Sequence, residues 1–174
     1  MQAYWISTKN GKRAIAGRPR GGEWIEDEIR EWKKEKVDIV ISALTGQENE
    51  ELGLVNEGSL CAANGLTFLS IPIEDRSVPE SADDLRDKLT VAREYLSSGK
   101  TVVVHCRMSI GRSWMISAAL LFYRGFSIRY AFEAIEKARG WPVPDTPKQR
   151  DWIEQNFFAE GPPSDLDGRE TGVE

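Results

Sequence analysis

Cys106 and Arg112, with five residues between them, are the pair in this chain whose types and spacing best suit chemistry. They lie in the stretch Thr101 to Ser113, Thr-Val-Val-Val-His-Cys-Arg-Met-Ser-Ile-Gly-Arg-Ser. Its β-branched start reads as a buried strand. The apolar run from Trp114 to Tyr123 reads as a buried helix. A short loop between them would gather a thiol, inward-facing backbone N–H groups, a helix N-terminus and a guanidinium. Such a loop binds the non-bridging oxygens of a phosphoryl group. Arg112 offers a planar fork that matches two of those oxygens. The same surroundings favour the thiolate, the nucleophilic form of cysteine. Arg107, Met108, Ser109, Ile110 and Gly111 form the loop interior, and Gly111 removes bulk where the backbone turns into the helix. The Ser113 hydroxyl is placed to hydrogen-bond the sulfur and help it leave a covalent intermediate.

A thiolate attacking phosphorus needs a proton for the leaving oxygen and later a base for water. One carboxylic acid can do both in turn. Asp75 is the best candidate, on a loop bracketed by Pro72 and Pro79 and 31 positions before Cys106 (106 − 75). Glu74 is second and Asp145 third. Gln149 has capping-box spacing from Thr146, and its amide is a candidate for holding the water. His105 is the only histidine. Successive strand residues point to opposite faces, so it turns away from Cys106 and is a poor general base. That sets aside a Cys–His protease; His105 is expected to bond nearby backbone and brace the loop. Cys61 reads as buried structure and Arg107 as a solvent-facing lip. No cluster of His, Asp or Cys suggests a metal, and no cofactor is expected.

The elements that must position these residues alternate. Ala3–Ile6 and Ala14–Ala16 read as short edge strands, and Gly17–Gly22 as a loop. The periodicity predicts a helix over 23–36, a strand over 37–43, short helices within 45–54 and 58–64, and a strand over 66–73. Ser81, with Asp84 three residues on, opens a single helix to Gly99 whose buried stripe is Leu85, Leu89, Ala92 and Leu96. After the central strand and buried helix come an amphipathic helix over 127–139, a Pro-rich connector and a last helix opened by Thr146 and Pro147. Strands alternating with helices imply an α/β fold with a mostly parallel sheet of about four to five strands flanked by helices. Sites in such folds form outside the carboxyl ends of strands. Cys106 and Asp75 both lie just beyond such ends.

Composition sets the bounds. The chain has 174 residues, 40% apolar and 29% charged, which suits one globular domain over 1–160. Residues 161–174 hold no apolar cluster and read as a disordered tail. The net charge of −5 argues against a nucleic-acid binder. No apolar run is long enough to span a bilayer, and no signal peptide is visible. Two cysteines are too few for a disulfide framework, so a cytoplasmic location is expected.

With these residues in hand, the chain resembles a cysteine-dependent protein tyrosine phosphatase of the compact, prokaryotic-like dual-specificity type. The resemblance rests on His105-Cys106-x5-Arg112-Ser113, on Pro72-Ile73-Glu74-Asp75-Arg76-Ser77-Val78-Pro79 and on Pro144-Asp145-Thr146-Pro147-Lys148-Gln149. It implies Cys106 as nucleophile, Arg112 as phosphate ligand, Asp75 as general acid then base, and Ser113 as thiolate helper. It also implies a cysteinyl-phosphate intermediate and no cofactor. Ser109 and Trp114 stand where relatives often carry glycine, which is expected to change loop conformation and helix packing. The implied substrate is a phosphoprotein or phosphopeptide carrying phosphotyrosine, with phosphoserine and phosphothreonine also accepted. One basic residue in the loop interior disfavours a phosphoinositide headgroup. The rivals are a non-catalytic phosphoprotein-binding module and another user of a cysteine–arginine loop, an arsenate reductase or a sulfurtransferase.

Overall fold

The computed structural model describes residues 3–8 and 11–159. The expected tail over 161–174 lies outside the described residues, as does the domain boundary at 160. Five strands form one sheet in the order β1-β2-β5-β3-β4. These are β1 (Ala3–Thr8), β2 (Gly11–Gly17), β3 (Ile39–Ser42), β4 (Thr67–Ser70) and β5 (Val102–Cys106). β1 runs antiparallel to β2 at one edge; β2, β5, β3 and β4 are mutually parallel. The expected edge pair therefore exists and is longer than its apolar residues suggested.

β5 is central, and every one of its residues is buried. Period-2 alternation divides them between two cores. Val102, Val104 and Cys106 join the larger core, with Ile39 and Ile41 of β3. Val103 joins the smaller one, with Val40, Ile29, Trp32 and Leu54. Two helices serve the smaller core, α1 (Ile25–Lys34) and α3 (Glu57–Ala63), while the short α2 (Gly46–Glu51) between them has Glu48 as its buried residue. The larger core is covered by α4 (Ala82–Lys88), α5 (Thr90–Ser97), α6 (Arg112–Phe122), α7 (Ile128–Arg139) and α8 (Pro147–Ile153). All eleven residues of α6 are buried. A buried strand thus feeds a buried helix through the Cys106 loop, which fixes both ends of that loop.

Two expected helices differ in detail. The first begins as a 3-10 turn, Gly22–Trp24, before α1. Gly21 and Gly22 are pressed against Leu52 and Gly53: a Cβ on Gly21 would lie 1.8 Å from the Leu52 carbonyl oxygen. That contact, with Gly22 N–H donating to Gly53 O at 3.0 Å, pins the entry to this helix against the turn after α2. The helix expected from Ser81 to Gly99 is two helices, broken at the buried Leu89. The Thr90 hydroxyl donates to the Arg86 carbonyl at 3.4 Å, a back-bond that bends helices. The predicted stripe of Leu85, Leu89, Ala92 and Leu96 is buried regardless of the break. Among the described residues no helix is long and apolar enough to cross a membrane.

Candidate active site

Cys106 ends β5, and Arg112 opens α6. The chain between them curls around the sulfur. The Ser109 N–H donates to Cys106 Sγ at 3.2 Å. The thiol donates to Ser113 Oγ at 3.4 Å, a contact that reverses when the thiol ionises, since a thiolate only accepts. Cys106, Met108, Ile110, Gly111, Arg112, Asp75, Arg76, Asp145 and Gln149 line a cavity of about 220 Å³.

Ser109 takes φ of +60°, the left-handed region that glycine occupies without strain. This is the physical content of the departure at this position. The side chain is buried, and its hydroxyl donates to the Ala16 carbonyl of β2. Trp114, the other departure, is fully buried, its ring 4.8 Å from that of Phe132.

Arg112 is buried to within 1% of its surface and held on several sides. Nη1 donates to Glu48 Oε2 at 2.6 Å and Nη2 to Glu48 Oε1 at 2.9 Å, a bidentate pair. Nη1 also donates to the Ile73 carbonyl at 2.9 Å. Burial alone would raise the Glu48 carboxyl. The Arg112 hydrogen bonds and charge, the Thr45 N–H and Arg107 outweigh it and hold the group below its ordinary value. Burial alone would lower Arg112, yet Glu48 and the negative charges at Cys106 and Asp75 raise it, so it stays charged.

Glu48 was not among the residues singled out from sequence. Its only local mark is the capping-box spacing Thr45-Gly46-Gln47-Glu48. The box is present: the Glu48 N–H donates to Thr45 Oγ1 at 3.2 Å, and the Thr45 N–H donates to Glu48 Oε2 at 3.1 Å. The cap therefore locks the carboxylate that grips Arg112.

Asp75 follows β4 on the same sheet edge, and its Oδ1 lies 2.9 Å from Arg112 Nη2. Its side chain is 63% exposed at the cavity mouth. Arg76, with φ of +57°, reaches Asp145 of the connector at 3.6 Å. Glu74 instead lines a neighbouring groove with Pro72, Val78 and Pro79, away from Cys106. Asp145 lines the Cys106 cavity, engaged by Arg76.

Two expectations need correction. Gln149 forms only half of the expected capping box: its N–H bonds Thr146 Oγ1 at 3.3 Å, while its side chain turns into the site. Gln149 Nε2 donates to the Ser77 carbonyl at 3.0 Å, and Oε1 is buried without a partner among the described residues. A Cβ on Gly111 would lie 2.5 Å from that Oε1, so glycine at 111 makes room for the amide. His105 faces away from Cys106, but its partner is a carboxylate rather than backbone. Its Nε2 lies 2.8 Å from Glu57 Oε1 of α3, both side chains being buried. The cause is the alternation along β5, which puts His105 in the smaller core beside Trp32.

Arg107 is exposed and directed at Glu51, 3.3 Å away. Cys61 is fully buried; burial first, and the Glu57 charge second, push its thiol up to about 12, which makes it inert.

Residues 14–126 match the family described as "Polymorphic toxin system, DSP-PTPase phosphatase". No curated protein sequence matches the chain. Among solved structures, the chain is similar to kinase associated phosphatase, crystallised with its catalytic-site cysteine replaced by serine. That likeness has a TM-score of 0.80 at 19% identity and covers 91% of this chain and 96% of that one. Tk-PTP in its active form gives 0.72 at 26% identity, over 90% and 96%. PTPMT1 in complex with PI(5)P gives 0.72 at 22% identity, over 90% and 96%.

Proposed function

The chain belongs to the DSP-PTPase phosphatases of polymorphic toxin systems, a cysteine-dependent phosphatase, and on that premise we propose how it turns over substrate and which substrate it takes. The observation that carries the reading is the convergence of Cys106 Sγ, the Ser109 N–H, Arg112 and Asp75 around one cavity. The Cys106 thiolate attacks phosphorus in line. The sulfur–phosphorus bond forms as the bond to the leaving oxygen breaks, and Asp75 gives that oxygen its proton. Water then attacks the cysteinyl phosphate, Asp75 takes the water's proton, and the sulfur leaves as thiolate. The Ser113 hydroxyl donates to the departing sulfur. Gln149 Oε1, buried and without a partner among the described residues, is the acceptor that holds the water. Arg112 binds two phosphoryl oxygens once Asp75 gives up its contact with Nη2, and the bidentate grip of Glu48 holds the guanidinium in place throughout.

The substrate is a phosphoprotein or phosphopeptide. Met108 and Ile110 on the cavity wall suit the ring of phosphotyrosine, and the open mouth also admits phosphoserine and phosphothreonine. Arg107 is the one basic residue of the loop interior and has Glu51 3.3 Å away, a neighbouring carboxylate that disfavours the further phosphates of an inositol lipid. A cytoplasmic location accompanies the reading, because the mechanism needs Cys106 as an unpaired thiol. The test is hydrolysis of p-nitrophenyl phosphate by wild type and Cys106→Ser with a chelator present. Turnover by wild type and its loss in the variant are expected; equal rates would overturn the mechanism. A panel of phosphotyrosine, phosphoserine and phosphothreonine peptides beside a phosphoinositide then ranks substrates. Faster release from the lipid would overturn the protein assignment.

A further inference from the structure

An anion-binding loop has an outside as well as an inside. N–H groups can converge on a phosphoryl group only if the carbonyls of the same peptides point outward. Outward carbonyls take their donors from water or from the chain, and only a donor fixed to the chain also fixes the peptide. Arg139, in the last turn of α7, supplies them here. Its Nη2 donates to the Met108 carbonyl at 3.3 Å, and its Nε to the Ser109 carbonyl at 3.3 Å. Its Nη1 donates to the Tyr4 hydroxyl of β1 at 3.0 Å, and the guanidinium lies 4.4 Å from the Tyr4 ring centre. The clamp is thus itself fixed to the far edge of the sheet.

The peptide joining Met108 to Ser109 is held at both ends. Its carbonyl is held outside by Arg139, and its N–H points inside, 3.2 Å from Cys106 Sγ. Ser109, at φ of +60°, cannot hold that orientation by backbone preference. A flip of this peptide would turn the N–H away from the sulfur and swing a carbonyl oxygen toward the anion. Resting on the phosphatase reading above, we propose that Arg139 is a positioning residue: it holds the phosphate loop in its anion-binding form from outside, through the peptides on either side of Ser109. Only a planar fork reaches two successive carbonyls; a lysine ammonium on this stem serves one.

The experiment measures inorganic phosphate binding by calorimetry, p-nitrophenyl phosphate turnover and the unfolding temperature. It uses the full chain as wild type, Arg139→Met, Arg139→Lys and Tyr4→Phe. Arg139→Met is expected to weaken phosphate binding about tenfold and lower kcat/KM by about the same factor, the size of one charge-assisted hydrogen bond. Its unfolding temperature should stay within about 3 °C of wild type, as for other partly exposed side chains. Arg139→Lys should recover part of the affinity, and Tyr4→Phe should weaken binding less than Arg139→Met does. Wild-type phosphate affinity in a folded Arg139→Met overturns the proposal. If that variant does not fold, wild-type affinity in a folded Arg139→Lys does so. Wild type that binds phosphate but does not turn over ester would sink the phosphatase mechanism and leave the clamp to be judged on affinity alone.

Discussion

Two carboxylates touch the same guanidinium, and they come from regions built in opposite ways. Glu48 sits in the first turn of α2, is buried, and meets Arg112 with both oxygens. Asp75 sits on the loop after β4, is mostly exposed, and meets Arg112 with one. A buried carboxylate with every oxygen committed is a fixed part. In the proposed mechanism, the exposed one with a single contact at the mouth exchanges Arg112 for a substrate oxygen and then serves as acid. The environment, not the residue type, assigns the roles.

The largest effect is expected from breaking the fixed partner. Glu48→Ala leaves Arg112 buried without its counter-ion, and should cost about 3 kcal/mol of stability. Denaturant unfolding would measure it, and kcat/KM should fall with it. The acid branch follows from the lowered Glu48 carboxyl. Its stabilising contribution is complete above the ordinary carboxylate range and is lost as pH falls through the lowered folded value. Wild type should therefore lose stability on acidification more steeply than Glu48→Gln. Parallel pH profiles for the two would show that the pair contributes nothing to folding.

Asp75→Asn should leave the unfolding curve unchanged and lower kcat about a hundredfold, the usual worth of a positioned acid. It should also bind inorganic phosphate about fivefold tighter, because an exposed ion pair of roughly 1 kcal/mol no longer competes for Arg112. Weaker binding would mean that Asp75 assists rather than competes with the anion. The smallest effect belongs to the mouth. Arg76 and Asp145 are 3.6 Å apart and solvated, so Asp145→Asn should change kcat/KM by no more than about twofold.

What was legible in the sequence follows the same division. The Cys106 loop could be read because strand, loop and helix are contiguous, and the chemistry lies within a few residues. Asp75 could be placed because parallel strands bring their carboxyl ends to one edge. Glu48 escaped because a capping-box glutamate already has a local explanation, while its second role depends on a residue 64 positions away. Gln149 carried the same ambiguity, and only the packing of Gly111 against it shows which way its amide turns. Arg139 has the look of a basic residue at a helix C-terminus. Its acceptors on the Cys106 loop are set by how α7 packs beside β1. The break at Leu89 and the His105–Glu57 pair were hidden for that reason too, being tertiary rather than local.

The division between fixed and exchanging carboxylates is tested most directly by a series of aryl phosphates with leaving phenols of rising pKa. Rates are compared for wild type, Glu48→Gln and Asp75→Asn. Loss in Asp75→Asn should grow along the series, since poorer leaving groups depend more on the proton. Loss in Glu48→Gln should stay constant, since a positioning defect does not discriminate among phenols. A flat loss in Asp75→Asn, or a rising one in Glu48→Gln, would contradict the account.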